Sequence, residues 1–408
     1  MCDHSEKGAI ELLLSEENRS QLKDLGYEDA AKPILLNDFP ESKDGCAQIR
    51  SQTWQVDASK AMEILTNASR TRTSNNAVLE VLASLIIHRD PLRPNLATGR
   101  FEVKENILVQ RDLAQALTSI SLCRTESRGQ QSDALIAEAG LACLALLLYK
   151  SQPLTLTNLT LIHVIAYTDP SNCWTTRPAA LLAEHILYLQ ISTKDIPSFT
   201  TGAILIDFIR PELPLSHSYA TPASDQTELS LLTLDDTEDH EKTIVILKWA
   251  IEKAEEVYIA RHWHHFTPAL LRLAESRDTT VRLKALEAII MFLKKCPSST
   301  IYATGISYIL ENTILPTLLL LPPLTPERDS VALLDVGYQA IINLAAKSSD
   351  RRSYSRRQLL DTAIREGIMI GYHHAPGYTL IVKVLMQSTA KLVSCLGIFS
   401  VKHLTVSF

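Results

Sequence analysis

At 408 residues the chain exceeds the size at which single cores stop growing, and with 46% apolar residues it calls for two domains or a one-dimensional array. Only 13 glycines and 21% charged residues favour the array, since they suit long helices on short turns. A net charge of -6 supplies no overall basic field for nucleic acid, and seven scattered cysteines (Cys2, Cys46, Cys123, Cys143, Cys173, Cys296, Cys395) with no CxxC pair argue against a disulfide framework.

That cysteine usage belongs to a reducing compartment, and the chain is expected in the cytoplasm and nucleus. Met1 to Gly8 places no apolar core behind a basic start, so no secretory signal is expected. The longest clean apolar run, Ala139 to Tyr149, is about half of the ~20 residues that cross a bilayer. It reads as a helix buried on several sides, and no membrane partner is expected.

Residues 1–55 mix acidic, serine and amide residues with short apolar patches, and are expected to be a partly disordered N-terminal segment. From Val56 helical spacing sets in with Ala61, Ile64, Leu65 and Ala68, then Val78, Leu82, Leu85 and Ile86. After a turn at Arg89–Asn95, helices are predicted over 105–123, 132–149, 155–167, 178–192 and 200–210. Residues 56–211 are therefore expected to form an N-terminal helical half.

The clearest break is 212–241, read as a Pro/Ser/acidic linker or long loop. It begins after Pro211 and ends in Asp235, Asp236, Glu238, Asp239 and Glu241, acids that sit well at the start of the next helix. Residues 242–408 form the second half. Its best-signalled hairpin pairs a helix carrying Phe266, Leu270, Leu273 and Ala274 with one carrying Val281, Ala285, Ala288, Ile289 and Phe292. Asp278 is suited to cap the second helix, Lys294 and Lys295 to its negative end, and Pro297 to stop it.

The turn Asp278, Val281, Arg282, Ala285 reads as that of a HEAT-type hairpin, a unit that buries its face only by stacking on neighbours. In such stacks an aspartate of one repeat can meet an arginine of the next, and Asp278 and Arg282 are assigned to holding the array together. A second hairpin pairs 302–320, broken at Pro316, with 330–346, capped by Asp329 or Ser330. A third pairs 353–374 with 378–396, where Ile381, Leu385, Ser388, Leu392 and Cys395 form one stripe closed by Gly397. The expected fold is all-α, a HEAT/ARM-like solenoid of stacked helical hairpins.

No catalytic, metal or cofactor site is expected. His262 and His265 share a helical face in Arg261–His265, but no acid or cysteine stands at a ligand offset. No GxSxG, GxGxxG or Walker loop occurs, and Asp361 and Glu366 lie too far round a helix to act as a pair. Arg351, Arg352, Arg356 and Arg357 gather at one helix start, where positive charge opposes the dipole. Solvation or a partner's acids would explain them, so these arginines, with Trp249, Trp263 and Tyr338, are the candidate partner contacts.

The series Asp278–Ala285, Thr304 Gly305, Leu315–Leu318, Leu321–Pro326, Ser330 with Leu333, Leu334 and Tyr338, Glu366–Met369, and Leu396–Ile398 with Val401–Leu404 resembles the TELO-two-interacting protein two family, the HEAT-rich subunit of the Triple T complex. The resemblance covers roughly 260–408, and the first half matches only in helical character. It implies a non-enzymatic scaffold bound to two larger helical-repeat subunits, in a co-chaperone linked to the Hsp-ninety system. It further implies support for phosphatidylinositol-3-kinase-related kinases, among them TOR and the DNA-damage kinases. Members of that family continue past Val401–Leu404, so the second half is expected to be truncated. An adaptor for nuclear transport or other cargo is the alternative on the same fold, and an enzyme with scattered catalytic residues the third.

Overall fold

The computed structural model describes residues 111–112, 114–119, 121–123, 130–150, 154–191, 194–213, 237–348 and 354–404. The expected N-terminal segment 1–55, the periodic stretch up to residue 110, residues 214–236 of the expected linker, and Arg351 and Arg352 lie outside the described residues. Among those described every regular element is helical, and no strand occurs.

The chain divides into two units between Asp195 and Ile196. In the first, α1 (Gln130–Lys150) and α2 (Asn158–Ile165) both pack on α3 (Arg177–Ile191). Small side chains bring α1 and α3 close: Ala134, Ala137, Ala179, Ala180 and Ala183 are all buried. Gly140 serves a second approach, because a β-carbon there would stand 2.0 Å from Ser121 Oγ. Thr157 caps α2 by accepting from the Thr160 N–H at 3.2 Å. The α1–α2 connection is tied to α3 by Gln190, whose Oε1 accepts from Leu156 N at 2.9 Å and whose Nε2 donates to Leu154 O at 3.1 Å.

The second unit opens with a helical rod, here α4, running from Ile196–Ser198 through Phe199–Ile209 to Arg210–Glu212. Expected as an α-helix, its centre is π-helical: the Arg210 N–H bonds Leu205 O, five residues back. Then follow α5 (Thr237–Lys253), α6 (Glu256–Ala274) and α7 (Thr279–Lys295). The start of α5, from Thr237, lies inside the stretch expected as linker. Pro268 within α6 leaves the His264 carbonyl without its helical N–H, and the backbone departs from helix at His262 (φ -112°, ψ 17°).

The stretch expected as a helix over 302–320 interrupted at Pro316 is three pieces: α8 (Ser298–Ala303), α9 (Ile306–Ile314) and a 3-10 turn at Leu315–Leu319 with Pro316 near its start. Gly305, at φ +78°, makes the first break. Next comes α10 (Glu327–Ala346), and then α11 (Tyr354–Thr362), which continues through a π-helical stretch, Ala363–Met369, into Ile370–His374. The unit closes with α12 (Thr379–Leu396), a 3-10 turn at Gly397–Ser400 and α13 (Val401–Leu404).

These helices form two layers. In one, α5 packs on α7, α7 on α10 and α10 on α12; in the other lie α4, α6, α9 with its 3-10 turn, and α11 with its continuation, each set against the first. Each hairpin thus supplies one helix per layer, which is the arrangement of stacked helical repeats. Phe266 of α6 and Phe292 of α7, both fully buried, meet at 6.2 Å between ring centroids inside one hairpin.

By length and composition the stretch Thr379–His403 is apolar enough to cross a bilayer, a feature the sequence reading passed over. Its stripe Ile381, Leu385, Ser388 and Leu392 is buried in the second unit, where α12 packs on α10. That stripe belongs to a core helix with one side left open.

Candidate functional site

In the Asp278 turn, the carboxylate Oδ1 accepts from the N–H of Thr280 at 2.7 Å and of Val281 at 3.0 Å, satisfying two free donors at the start of α7. Val281 and Ala285 are fully buried beneath it. Arg282 does not reach another repeat. Its Nε donates to Ser276 O at 3.0 Å and its Nη2 to Glu275 O at 3.4 Å, so it closes the end of α6 in its own hairpin. Partial burial lowers its pKa from the ordinary arginine value, opposed by the Glu275 carboxylate. Among the described residues Asp278 and Arg282 enter no Asp–Arg pair between repeats, because a cation so near the preceding helix end finds carbonyls sooner than a neighbour's acid.

Other cations join the repeats. Lys295 donates to Ala254 O at 3.0 Å and to Glu252 O, at the end of α5. Lys347 donates to Cys296 O at 2.8 Å and Lys294 O at 3.2 Å, at the end of α7. Arg356 donates to Ala345 O at 3.0 Å, at the end of α10, and reaches Cys395 O at 3.5 Å, at the end of α12. Three times, then, a cation supplied by a later element answers the last carbonyls and negative pole of a layer helix. Side chains stitch the same layer along its length: Lys284 to Glu241 at 2.7 Å, Lys248 to Glu287 at 2.9 Å, Thr279 to Asp329 at 3.1 Å and Lys391 to Asp335 at 3.7 Å.

The candidate contacts have the following places in the fold. Arg356 is spent on backbone carbonyls, and Arg357 lies over the Phe399 ring at 4.5 Å. Tyr338 is buried at 1% exposure and Trp249 at 8%, the latter edge-on to Phe199 at 6.1 Å. Both aromatic rings belong to the core of the second unit. Trp263 is half-buried. Asp329 and Ser330 do not cap α10, which starts at Glu327 behind Pro326; Asp329 is engaged by Thr279 instead.

Two further clusters emerge only from the fold. Gly367 lies against Tyr338 and Leu318, where an added β-carbon would come within 2.7 Å of the phenol oxygen and 2.8 Å of a leucine methyl. Burial raises the Tyr338 pKa, and among the described residues its hydroxyl has no hydrogen-bond partner. Asp361, buried on α11, is held by Lys402 and by His403 Nε2 at 2.9 Å, both on α13. Burial pushes the Asp361 carboxyl up, but the hydrogen bonds and charges of those two side chains outweigh it and hold its pKa below the ordinary value. With Arg357 on Phe399, this pair of contacts clamps residues 397–404 to α11.

The histidines cluster without forming a metal site. His262 and His265 stack at 6.1 Å between centroids, and burial together with the neighbouring His264 lowers both pKa values. Among the described residues no three His, Cys, Asp or Glu side chains gather into a group able to hold a metal ion.

Apolar side chains stand exposed on the far side of α12 and in the turn after it: Met386, Val393, Ile398 and Val401, Ile398 at 81%. The sequence reading placed the buried stripe of α12 but none of its outer side among the candidate contacts.

Compared with known proteins, residues 160–407 match a family model described as the Tti2 family, more than half of the chain and the family to which the motif series pointed. The match begins well before the motifs that carried the resemblance and takes in α3 and most of α2 in the first unit. No curated protein and no solved structure matches the chain.

Proposed function

The chain belongs to the Tti2 family, and on that premise we propose that it is a scaffold subunit, without an activity of its own, of a Triple T co-chaperone that supports maturation of phosphatidylinositol-3-kinase-related kinases. Membership supports a co-chaperone role of this kind in general and implies a complex with partners. The finer reading takes those partners to be two larger helical-repeat subunits. Client kinases, TOR and the DNA-damage kinases among them, are reached through the assembly and the Hsp-ninety system. Its place of work is the cytoplasm and nucleus.

The observation that carries this reading is the family match across 160–407, laid over two layers of paired helices whose polar contacts are used to hold repeats together. Such a stack offers long flanks for another superhelix. Affinity purification of the full chain with mass spectrometry tests it. Two large helical-repeat subunits are expected in near-equal amounts, and depletion of the chain is expected to lower client kinase levels without lowering their messages. Recovery of a small GTPase with transport cargo, and of no large helical subunits, would replace the reading with that of a transport adaptor.

A further inference from the structure

We infer that the basic cluster where α6 packs on α4, made of Arg261, His262, His264, His265 and Arg210, is a binding site for a phosphorylated serine or threonine side chain of a protein ligand. The site goes beyond the scaffold reading and does not depend on it.

Geometry is the first ground. On a regular helix neighbouring residues point about 100° apart, and residues two apart do not face each other. In α6 the rings of His264 and His265 nevertheless stand 4.1 Å apart between centroids, those of His262 and His265 6.1 Å, and those of His262 and His264 6.3 Å. They converge where the backbone leaves helical geometry, at His262. Tyr258 backs the group, with its ring 4.4 Å from that of His262 and its hydroxyl donating to Pro197 O at the start of α4. Arg210, Arg261 and His264 are exposed and His262 and His265 half-buried, so a ligand can reach the cluster. Donors that share one phosphoryl group, each about 2.8 Å from an oxygen, stand roughly 4–6 Å from one another. The rings keep that spacing.

Charge is the second ground. Among the described residues none of the five makes an ion pair. After burial, the groups that lower the His262 pKa are His264 and Arg261, and those that lower the His265 pKa are His264, His262 and Arg210. Every one is basic. Of the helices packed on α6, α4 contributes Arg210, while α5, α7 and α9 contribute no charge that acts on either ring; the exposed acids Asp207 of α4 and Glu256 of α6 do not act on them either. Basic groups gathered without an acid work against folding, so packing does not account for the cluster, and an anion does. A phosphate monoester brings about -1.5 to -2 charges and several acceptor oxygens on one small group, where a carboxylate brings a single charge. Nucleic acid presents a row of phosphates and calls for a row of cations, whereas these stand around one turn of α6. A bound dianion favours the charged imidazoles, whose pKa values otherwise lie below the ordinary 6.5, so the site takes up protons as it fills.

The test titrates the full chain, at pH 7 and low salt, with a labelled peptide pool that has one central phosphoserine between random flanks, and with the same pool unphosphorylated. The variants are His264→Gln with His265→Gln, Arg261→Gln, and Arg365→Gln on the exposed side of α11 as control; melting curves check that each folds, and His264→Gln alone, at an exposed position, replaces the double variant if that does not. The phosphorylated pool is expected to bind about tenfold or more tighter than the unphosphorylated one, an advantage lost about tenfold in the histidine and Arg261 variants and kept in the control. Calorimetry in two buffers of different ionisation heat is expected to show proton uptake by the wild type, reduced in the histidine variant, a signal that arginines alone would not give. Equal binding of the two pools, or an advantage that survives both the histidine and the Arg261 variants, would overturn the site. Inorganic phosphate bound as tightly as the phosphorylated pool would make it a site for the free ion instead. Flotation with phosphatidylinositol phosphate vesicles, lost in the histidine variant while the peptide pools bind equally, would make it a lipid surface. None of these outcomes turns on which subunits purify with the chain, so the site can fail and leave the scaffold reading standing.

Discussion

The most consequential single carboxylate outside the second unit is Glu138, buried at 2% in α1. It accepts a hydrogen bond from the Thr176 hydroxyl, which itself accepts from the Ala179 N–H at 3.1 Å, so one chain of hydrogen bonds ties α1 to the start of α3. Burial raises the Glu138 pKa to about 7 from the ordinary 4.5, against the opposing pull of that hydroxyl. The folded state therefore holds the proton more tightly than the unfolded chain. This part of the stability is fully present below about pH 4.5 and is lost as pH rises through about 7. On the order of 3 kcal/mol is involved. Glu138→Gln, which keeps an acceptor oxygen for the Thr176 hydroxyl and cannot ionise, is expected to flatten the dependence of unfolding midpoint on pH between 5 and 8. A wild type with no such slope would show that Glu138 is ionised throughout. Gly367 is the other residue on which packing turns, since a methyl there meets the buried Tyr338 ring and Leu318. Gly367→Ala is expected to cost about 1–3 kcal/mol by overpacking, read as a lowered melting temperature. Partial relief by Tyr338→Phe, which removes the atom in closest conflict, would confirm the contact.

For single helices, ends decide more than middles. Asp278→Ala removes an acceptor for two N–H groups at the start of α7 and is expected to cost about 1 kcal/mol, whereas Asp278→Asn is expected to cost less. Denaturant midpoints at constant slope measure both. At the other end of the unit, Asp361→Asn weakens the hold on Lys402 and His403, and faster deuterium exchange is expected in 397–404 with little change in α7. Unaltered exchange there would mean that Arg357 on Phe399 suffices to seat the turn. These cases also mark what was legible beforehand. Helices α3, α7, α10 and α12 were readable because their apolar residues recur at helical spacing, α1 because its apolar run is too long for a strand, and the Asp278 cap because its donors are two and three residues away. The breaks at Gly305 and His262 were not, since only the tertiary path shows whether a glycine or proline bends a helix or is accommodated. Long-range polar contacts were least legible. Arg356 looked like free surface charge because the carbonyl of Cys395, which it reaches, is remote in sequence. Tyr338 and Trp249 looked like anchors because large aromatic side chains fill cores and contacts alike.

For the second unit as a whole, the decisive property is that each layer helix leans on the one before and the one after. In a stack of this kind, stability approximates a sum of hairpin terms and nearest-neighbour terms, so damage spreads by adjacency in the ladder. Phe292→Ala removes a ring fully buried between α6 and α7 and is expected to cost about 3–5 kcal/mol. A globule with one shared core would transmit that loss to every element together. The ladder instead predicts graded opening, measured by deuterium exchange under native conditions: greatest in α6 and α7, next in α5 and α10, which touch α7, and least in α12, which of these helices packs on α10. The cations at helix ends sharpen the contrast, because Lys295 and Lys347 bridge α7 to α5 and α10, while Arg356 bridges α10 to α12. Uniform loss of protection from α5 to α12 would mean that the layers open as one body. A ligand held on α6 would then stabilise α12 as strongly as α6, whereas in the graded case its protection fades from α6 through α7 to α10.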